Sequence, residues 1–326
     1  MGSLETAPVA GRAARVAILI PCYNEAPTIA TVVRRFREAL PEAAIFVFDN
    51  DSTDATAELA RGAGASVIAE HRRGKGHVVQ SMFRKVEADI YVMVDGDDTY
   101  PAELVESLIA PVRAGQADMV IGSRLHRSSR SRFRPLNRLG NGMCRALLGL
   151  IFGVRLTDLL SGYRAFSRRL VRTVPLFGGG FETETEMTIK ALHRGFRILE
   201  VPVDLVERPA GSQSKIRVVH DGIVILTTIL ALFRDYKPLT FFGGLGGLMV
   251  VGGAVPGVWA AWHWSPDRLP LALLSAVLVL AGVVSVAAGL VLHTVARHFQ
   301  ELDLHLQTRT GQRPEEGKDD GRDHGP

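Results

Sequence analysis

Two stretches near the carboxyl end, Leu239–Trp262 and Leu269–Ala296, contain no Lys, Arg, Asp or Glu. Each is longer than the ~20 apolar residues that a helix needs to cross a bilayer. No other feature limits the fold as strongly, because a charge-free stretch of that length must lie in lipid or be wrapped by protein. Gly243, Gly244, Gly246 and Gly247 would weaken a helix in water but let helices approach closely in lipid. Trp259, Trp262 and Trp264 crowd the link between the stretches, where an interfacial aromatic belt is expected. A buried helical hairpin of a soluble protein is the alternative. Arg234 and Lys237 precede the first stretch, Arg297 follows the second, and Arg268 in the link is balanced by Asp267. That bias of basic residues predicts both termini, and the domain before the hairpin, on the cytoplasmic side.

The remainder of the chain is ordinary in charge. Over all 326 residues the formal net charge is +4 and 47% of residues are hydrophobic, a balance compatible with an anionic membrane surface or a phosphorylated substrate. Basic residues are not interleaved with stacking aromatics, so a nucleic-acid partner is not expected. Cys22 and Cys144 form neither a disulfide framework nor a metal cluster. The first fifteen residues have no long apolar core, so no secretory signal peptide is expected.

Before the hairpin, short apolar runs alternate with helical patterns. Strands are predicted at Val16–Ile20, Ile45–Phe48, Ser66–Ala69, Ile90–Val94 and Met119–Ile121. Helices are predicted from Thr28 to Leu40, up to about Gly62, and over Val78–Glu87. That alternation implies an α/β fold with a mainly parallel sheet and helices on its faces. Ligands of such sheets sit beyond the carboxyl ends of the strands, where this chain's polar clusters fall. A further amphipathic helix is expected between Arg217 and Asp235, lying in a membrane interface or packed on the preceding domain.

The strongest chemical cue is Asp95-Gly96-Asp97-Asp98, directly after an apolar strand. Carboxylates one residue apart at a strand end can converge on a hard cation, Mg2+ or Mn2+, that bridges to substrate phosphates. An acidic turn without a metal is the plain alternative. Three other polar strand ends accompany it: Pro21-Cys22-Tyr23-Asn24-Glu25, Asp49-Asn50, and Arg72-Arg73-Gly74-Lys75-Gly76. No glycine fingerprint of a dinucleotide-binding domain follows the first strand.

In order and spacing these motifs resemble the family 2 glycosyltransferases of GT-A fold, over about residues 15 to 215. The resemblance implies that Pro21, Tyr23 and Glu25 line a nucleotide-base pocket and that Asp49 hydrogen-bonds the base or ribose. It puts Lys75 and Gly96 near the nucleotide, Asp95 at the ribose or metal, and Asp97 on the metal. Gly122-Ser123-Arg124, the basic run from Arg127 to Arg138, Asp158–Arg164, Phe181–Glu184 and Arg208–Lys215 further resemble dolichol-phosphate mannose synthase and its bacterial polyprenyl-phosphate relatives. In that group, arginines matching Arg124 and one or both of Arg134 and Arg138 hold a lipid phosphate, a task that suits the planar guanidinium fork. Arg208, Ser214 and Lys215 are expected to close over the donor diphosphate or to form a plain surface loop. Two positions depart from the pattern: Thr99 stands where the mannose synthases have Gln, and Asn137 or Asn141 stands where the relatives have a phosphate-binding Ser.

The expected layout is an N-terminal tail (1–14), a GT-A catalytic domain (15–215), a juxtamembrane amphipathic helix (216–236), two transmembrane helices (237–298) and a polar tail (299–326). The expected reaction is inverting transfer of one hexose or N-acetylhexosamine from a UDP- or GDP-linked sugar to a polyprenyl phosphate. Asp158 and Glu184 would orient the acceptor. Membrane lipids are expected partners, and a homo-oligomer is compatible with the sequence. A processive polysaccharide synthase is the nearest enzymatic rival, but the Gln-x-x-Arg-Trp signature of such enzymes is absent. Transfer to a lipid or glycan hydroxyl is the next, and a noncatalytic nucleotide-sugar-binding scaffold is the rival from another class.

Overall fold

The computed structural model describes residues 14–124, 156–180, 182–206, 218–263 and 265–311, with single positions at 142, 146, 149, 153 and 209. The chain divides into two compact units, Met1–Leu230 and Ala231–Pro326.

The first unit is built on a seven-stranded sheet. Its strands are β1 (Val16–Cys22), β2 (Ala44–Asp49), β3 (Ser66–Ala69), β4 (Ile90–Met93), β5 (Met119–Ser123), β6 (Arg164–Ser167) and β7 (Ile198–Pro202), in the spatial order β3-β2-β1-β4-β6-β5-β7. Neighbours run parallel except β6, which is antiparallel to both β4 and β5. The helices of this unit are α1 (Ile29–Ala39), α2 (Thr56–Gly62), α3 (Lys75–Lys85), α4 (Val105–Arg113), α5 (Arg168–Thr173) and α6 (Thr183–His193).

The period of two along each strand distributes the core between the two faces. Val16, Ile18, Ile20 and Cys22 of β1 pack with Val32, Val33 and Phe36 of α1 and with Leu108, Ile109 and Val112 of α4. The alternate residues Ala17 and Leu19 join Val78, Val79 and Met82 of α3, Leu170 of α5, and Met187 and Ala191 of α6. Helices therefore cover both faces, as parallel strands that are apolar on both sides require.

Direction decides where chemistry gathers. β1, β2, β4 and β5 all finish at one edge, and Arg164 pairs with Met93 on one side and Ile121 on the other. The antiparallel strand thus begins where its neighbours end, and the segment leading into it arrives at the same edge. β1 to β5 match the predicted strands to within one or two residues. β6, β7, α5 and α6 are elements that the apolar pattern did not indicate.

Helix α7 (Val218–Tyr236) spans the boundary between the units and buries Ile225, Ile229 and Leu232 at near-helical spacing. In the second unit α8 (Pro238–Trp262) and α9 (Leu269–Gly311) form a hairpin. Within it, Pro238–Trp262 and Pro266–Phe299 are long and apolar enough to cross a membrane, with mean hydropathy of 1.6 and 2.6. At 1.5 Å per residue, even the shorter spans about 37 Å, more than the ~30 Å hydrocarbon layer. Its seam is made by missing side chains. A Cβ on Gly246 would fall 2.5 Å from the Gly282 carbonyl oxygen, and one on Gly282 would fall 2.6 Å from that of Gly246. Gly253 faces the Ser275 carbonyl in the same way, and the Ser285 hydroxyl donates to the Phe242 carbonyl oxygen at 3.0 Å. Near the turn Arg268 lies over the Trp259 ring, 4.4 Å from its centroid. α9 continues without a break past position 298 to Gly311.

Candidate active site

The ends of β1 and β2 are tied together before any functional side chain is placed. The Asn50 amide donates to the Cys22 carbonyl oxygen at 2.9 Å. Asn24 adopts a left-handed conformation (φ 51°), its backbone N–H donates to Ser52 Oγ at 2.9 Å, and its side-chain oxygen accepts from Thr53 N–H at 2.8 Å. Left-handed non-glycine residues cost energy and gather where a turn must be held in one shape. Asp51 and Asp98, at the ends of β2 and β4, share that conformation with φ of 57° each. Thr28 donates to the Gly96 carbonyl oxygen at 2.7 Å, linking the acidic turn to the start of α1.

Within this frame Pro21 lies in β1, Glu25 is buried and Tyr23 is half-exposed. The guanidinium of Arg73 covers the Tyr23 ring at 4.4 Å from the centroid. Asp49 Oδ1, at the end of β2, is buried and has no hydrogen-bond partner among the described residues. A buried acceptor left unmatched costs about 1–3 kcal/mol, so its persistence at a strand end marks a place for a donor. Asn50 organises the next turn. Its amide donates to the carbonyl oxygens of Glu70 (2.7 Å) and Arg72 (2.8 Å), and its oxygen accepts from Gly74 N–H at 2.8 Å. The Arg72 guanidinium, donating to Glu70, pulls that carboxyl down to a pKa of about 2.

Lys75, the first residue of α3, connects distant parts of the chain. Its Nζ lies 2.6 Å from Asp95 Oδ1 and 2.6 Å from Glu184 Oε1. Burial acts to lower its pKa, but the two carboxylates outweigh burial and hold it above the ordinary lysine range. Beyond β4 the acidic residues part company. Asp95 meets Lys75. Asp97 is buried, and its Oδ1 accepts from the Thr99 hydroxyl (2.6 Å) and amide (3.2 Å). Asp98 turns away to Arg35 Nη1 at 3.0 Å, and burial, offset in part by that arginine, holds its carboxyl above the usual range. Gly96 packs against Cys22, where a Cβ would meet Sγ at 2.7 Å.

Arg124, just past β5, lies against Asp158. Nε and Nη2 donate to Oδ2 and Oδ1 at 2.7 and 2.9 Å, and the backbone amide adds a bond to Oδ2 at 3.0 Å. Asp158 is fully buried, which acts to raise its pKa, yet Arg124 holds it below the usual range. Burial likewise acts to lower the pKa of Arg124, but Asp158, with a smaller contribution from Asp95, keeps it raised. Glu200 of β7 steadies this loop by accepting from the amides of Thr157 and Asp158, each at 2.9 Å.

Lys75, Asp95 and Glu184 are therefore in direct contact, as are Arg124 and Asp158. Arg134, Arg138, Arg208, Ser214 and Lys215 lie outside the described residues. Sequence reasoning named Asn50 at a polar strand end and Gly162 within Asp158–Arg164 without giving either a role; Gly162 approaches Asp95 so closely that a Cβ would fall 2.4 Å from Oδ2. Glu200 was not singled out, because its bonds to Thr157 and Asp158 are long-range contacts with no local sign. Among the described residues, no three His, Cys, Asp or Glu side chains are arranged to hold a metal ion by themselves. Mg2+ and Mn2+ are commonly held by one or two carboxylates completed by substrate phosphate oxygens and water, a mode that does not require such a cluster.

Residues 17–174 match the family model described as Glycosyl transferase family 2. Glycosyltransferase AglJ of Haloferax volcanii is 35% identical over 250 residues, covering 76% of this chain and 82% of that protein. The undecaprenyl-phosphate mannosyltransferase of Micrococcus luteus is 32% identical over 228 residues, covering 65% of this chain and 93% of that one. Among solved structures, glucosyl-3-phosphoglycerate synthase from Mycobacterium tuberculosis, in complex with Mn2+, UDP and glucosyl-3-phosphoglycerate, superposes with a TM-score of 0.56 at 24% identity. That likeness covers 67% of this chain and 80% of the other. The mixed sheet with an acidic turn at its carboxyl edge is the GT-A fold. The chain belongs to the family 2 glycosyltransferases.

Proposed function

We propose that this glycosyltransferase moves one hexose or N-acetylhexosamine from a nucleotide-diphosphate sugar to a polyprenyl phosphate, with inversion, at the cytoplasmic face of a membrane. The observation that carries the reading is the placement of two charge centres on one sheet edge, Lys75 with Asp95 and Arg124 with Asp158. Two membrane-length apolar helices in the same chain support it, as does the similarity to an undecaprenyl-phosphate mannosyltransferase.

On this reading Tyr23, Pro21 and Glu25 line the base pocket, and the unmatched Asp49 oxygen accepts from a base or ribose donor. Lys75, Asp95 and Gly96 lie along the nucleotide. Asp95 and Asp97 would hold Mg2+ or Mn2+, which when bound compensates charge on the departing diphosphate. Arg124, its plane fixed by Asp158, binds the acceptor phosphate together with Arg134 and Arg138, while Arg208, Ser214 and Lys215 cover the donor diphosphate. A phosphate oxygen then attacks the anomeric carbon in line, and the bond from that carbon to the nucleoside diphosphate breaks.

A phosphate monoester with a second pKa of about 6 is already largely anionic near neutral pH and needs no strong base. A sugar hydroxyl does need one. Here both carboxylates proposed to orient the acceptor are ion-paired, Asp158 with Arg124 and Glu184 with Lys75, which favours the phosphate acceptor over the hydroxyl. The test incubates the purified full chain with undecaprenyl phosphate, Mn2+ and a panel of nucleotide sugars, reading products by mass spectrometry. A single glycosyl-phosphoryl-polyprenol is expected. Transfer only to hydroxyl acceptors, or nucleotide-sugar binding without turnover, would overturn the reading.

A further inference from the structure

Among the described residues, the largest fully buried side chain is a charged one, Arg164 at the start of β6. Its Nε donates to the Ser161 carbonyl oxygen at 2.8 Å and its Nη2 to the Leu159 carbonyl oxygen at 2.5 Å. Its Nη1 donates to Thr188 Oγ1 at 2.8 Å and to the Glu184 carbonyl oxygen at 3.1 Å, and also lies 3.7 Å from Met119 Sδ. The oxygens it binds belong to two segments only, the loop that carries Asp158 and the first turns of α6 that carry Glu184.

We propose that Arg164 is a positioning residue for the acceptor side of the reaction, holding the Asp158 loop and α6 in a single register and so setting Arg124 and Glu184. The inference rests on the reading that a lipid phosphate is the acceptor. A buried charge is a costly way to fill space, because apolar residues of similar volume at such places are often neutral or stabilising. The planar fork offers what an apolar residue cannot, several donors in fixed relative directions. One end of the fork reaches the loop whose Asp158 fixes the Arg124 guanidinium, and the other reaches the helix whose Glu184 meets Lys75. Its neighbours in register, Met93 and Ile121, lie just before the acidic turn and just before Arg124. None of these bonds reaches the ends of β1 and β2, where the base pocket is proposed, so the two substrates should respond differently to its loss.

Arg164→Lys keeps the charge without the fork, Arg164→Met keeps the volume without either, and Thr188→Val removes one acceptor while leaving the arginine in place. Each is purified as the full chain, its folded fraction is measured by circular dichroism, and initial rates are taken against undecaprenyl phosphate and against the donor that the panel assay identifies. A misplacement of about 1 Å can cost about 100-fold in rate. Arg164→Lys is accordingly expected to raise the acceptor KM about tenfold and lower kcat per folded molecule about tenfold or more, with donor KM moving less than about twofold. Thr188→Val shifts the same parameters in the same direction by about threefold, which decides the matter if the arginine variants do not fold. Loss that merely tracks the folded fraction with both KM values unchanged, or an equal rise in both, overturns the proposal. Absence of transfer to any polyprenyl phosphate by the unaltered protein overturns the functional reading and this inference with it. Transfer by the unaltered protein with an unmoved acceptor KM in the folded variants overturns this inference alone.

Discussion

Gly162 lies against the Asp95 carboxylate so closely that a Cβ there would stand 2.4 Å from Oδ2 and 2.7 Å from Cγ. Asp95 is held from its other side by Lys75 at 2.6 Å, so it cannot withdraw without losing that bond. Gly162→Ala is therefore expected to cost about 1–3 kcal/mol of stability as an overpacked site. It should lower kcat about 100-fold through a displaced carboxylate. Steady-state kinetics beside thermal unfolding will show both, and wild-type turnover in the folded variant would contradict the contact.

Removing Lys75 leaves two carboxylates facing one another in a mostly buried site. Lys75→Met should destabilise the protein by about 3–5 kcal/mol near neutral pH, the cost of breaking a buried pair. Urea midpoints of the variant beside the unaltered protein read that cost, and an unchanged midpoint would argue that Lys75 is not what holds Asp95 and Glu184 together.

Glu70 supplies the opposite case in the unaltered protein. Its carboxyl is pulled from 4.5 to about 2 by Arg72. A depressed carboxyl stabilises the fold above its unfolded pKa, and that stability is lost as pH falls toward the folded value. The turn before Lys75 should therefore loosen between pH 4.5 and about 2, and Arg72→Gln should remove that part of the acid sensitivity. Amide exchange at residues 70–74 reads it directly.

On the proposed reading, Asp97 and Asp98 separate chemistry from scaffolding within one acidic turn. Asp97→Ala is expected to reduce transfer by at least about 100-fold with little change in stability, and near-normal turnover would refute the metal role. Asp98→Asn, which keeps the left-handed conformation accessible but gives up the Arg35 ion pair, should cost about 1 kcal/mol and leave turnover within about threefold.

The hairpin of α8 and α9 offers a structural test. Gly282→Ala puts a Cβ 2.6 Å from the Gly246 carbonyl oxygen, whereas a Cβ on Gly247 would meet nothing within 4 Å. The first variant should lower the unfolding midpoint in detergent, with a cost of about 1–3 kcal/mol, and Gly247→Ala should be tolerated. Equal behaviour of the two would argue against the glycine seam.

Much of this was legible in the residues because the parallel strands are short apolar runs that stop at polar turns. Val16–Cys22 and Ser66–Ala69 announce themselves in that way. β6 does not, since Arg164-Ala-Phe-Ser opens on a charge and is four residues long, and β7 is an edge strand whose Glu200 interrupts its apolar run. The two strands that escaped notice bring the second half of the site to the sheet. Local pattern also could not show which charges meet. The acidic turn looked like a cluster of three carboxylates, yet Asp98 is spent on Arg35, and Lys75 and Arg124 are engaged by Glu184 and Asp158 from far along the chain. Such partnerships exist only once the sheet has closed.

The reversal of β6 has one consequence for how such an enzyme can diversify. The chain leaves the sheet after Ser123 and returns at Arg164 on the same side, so the intervening stretch is a detour that starts and finishes beside the reacting groups. Its two ends are fixed, Arg124 by Asp158 and Gly162 against Asp95. On the proposed reading, acceptor choice can be rewritten between those fixed ends while the turns after β1, β2 and β4 stay as they are.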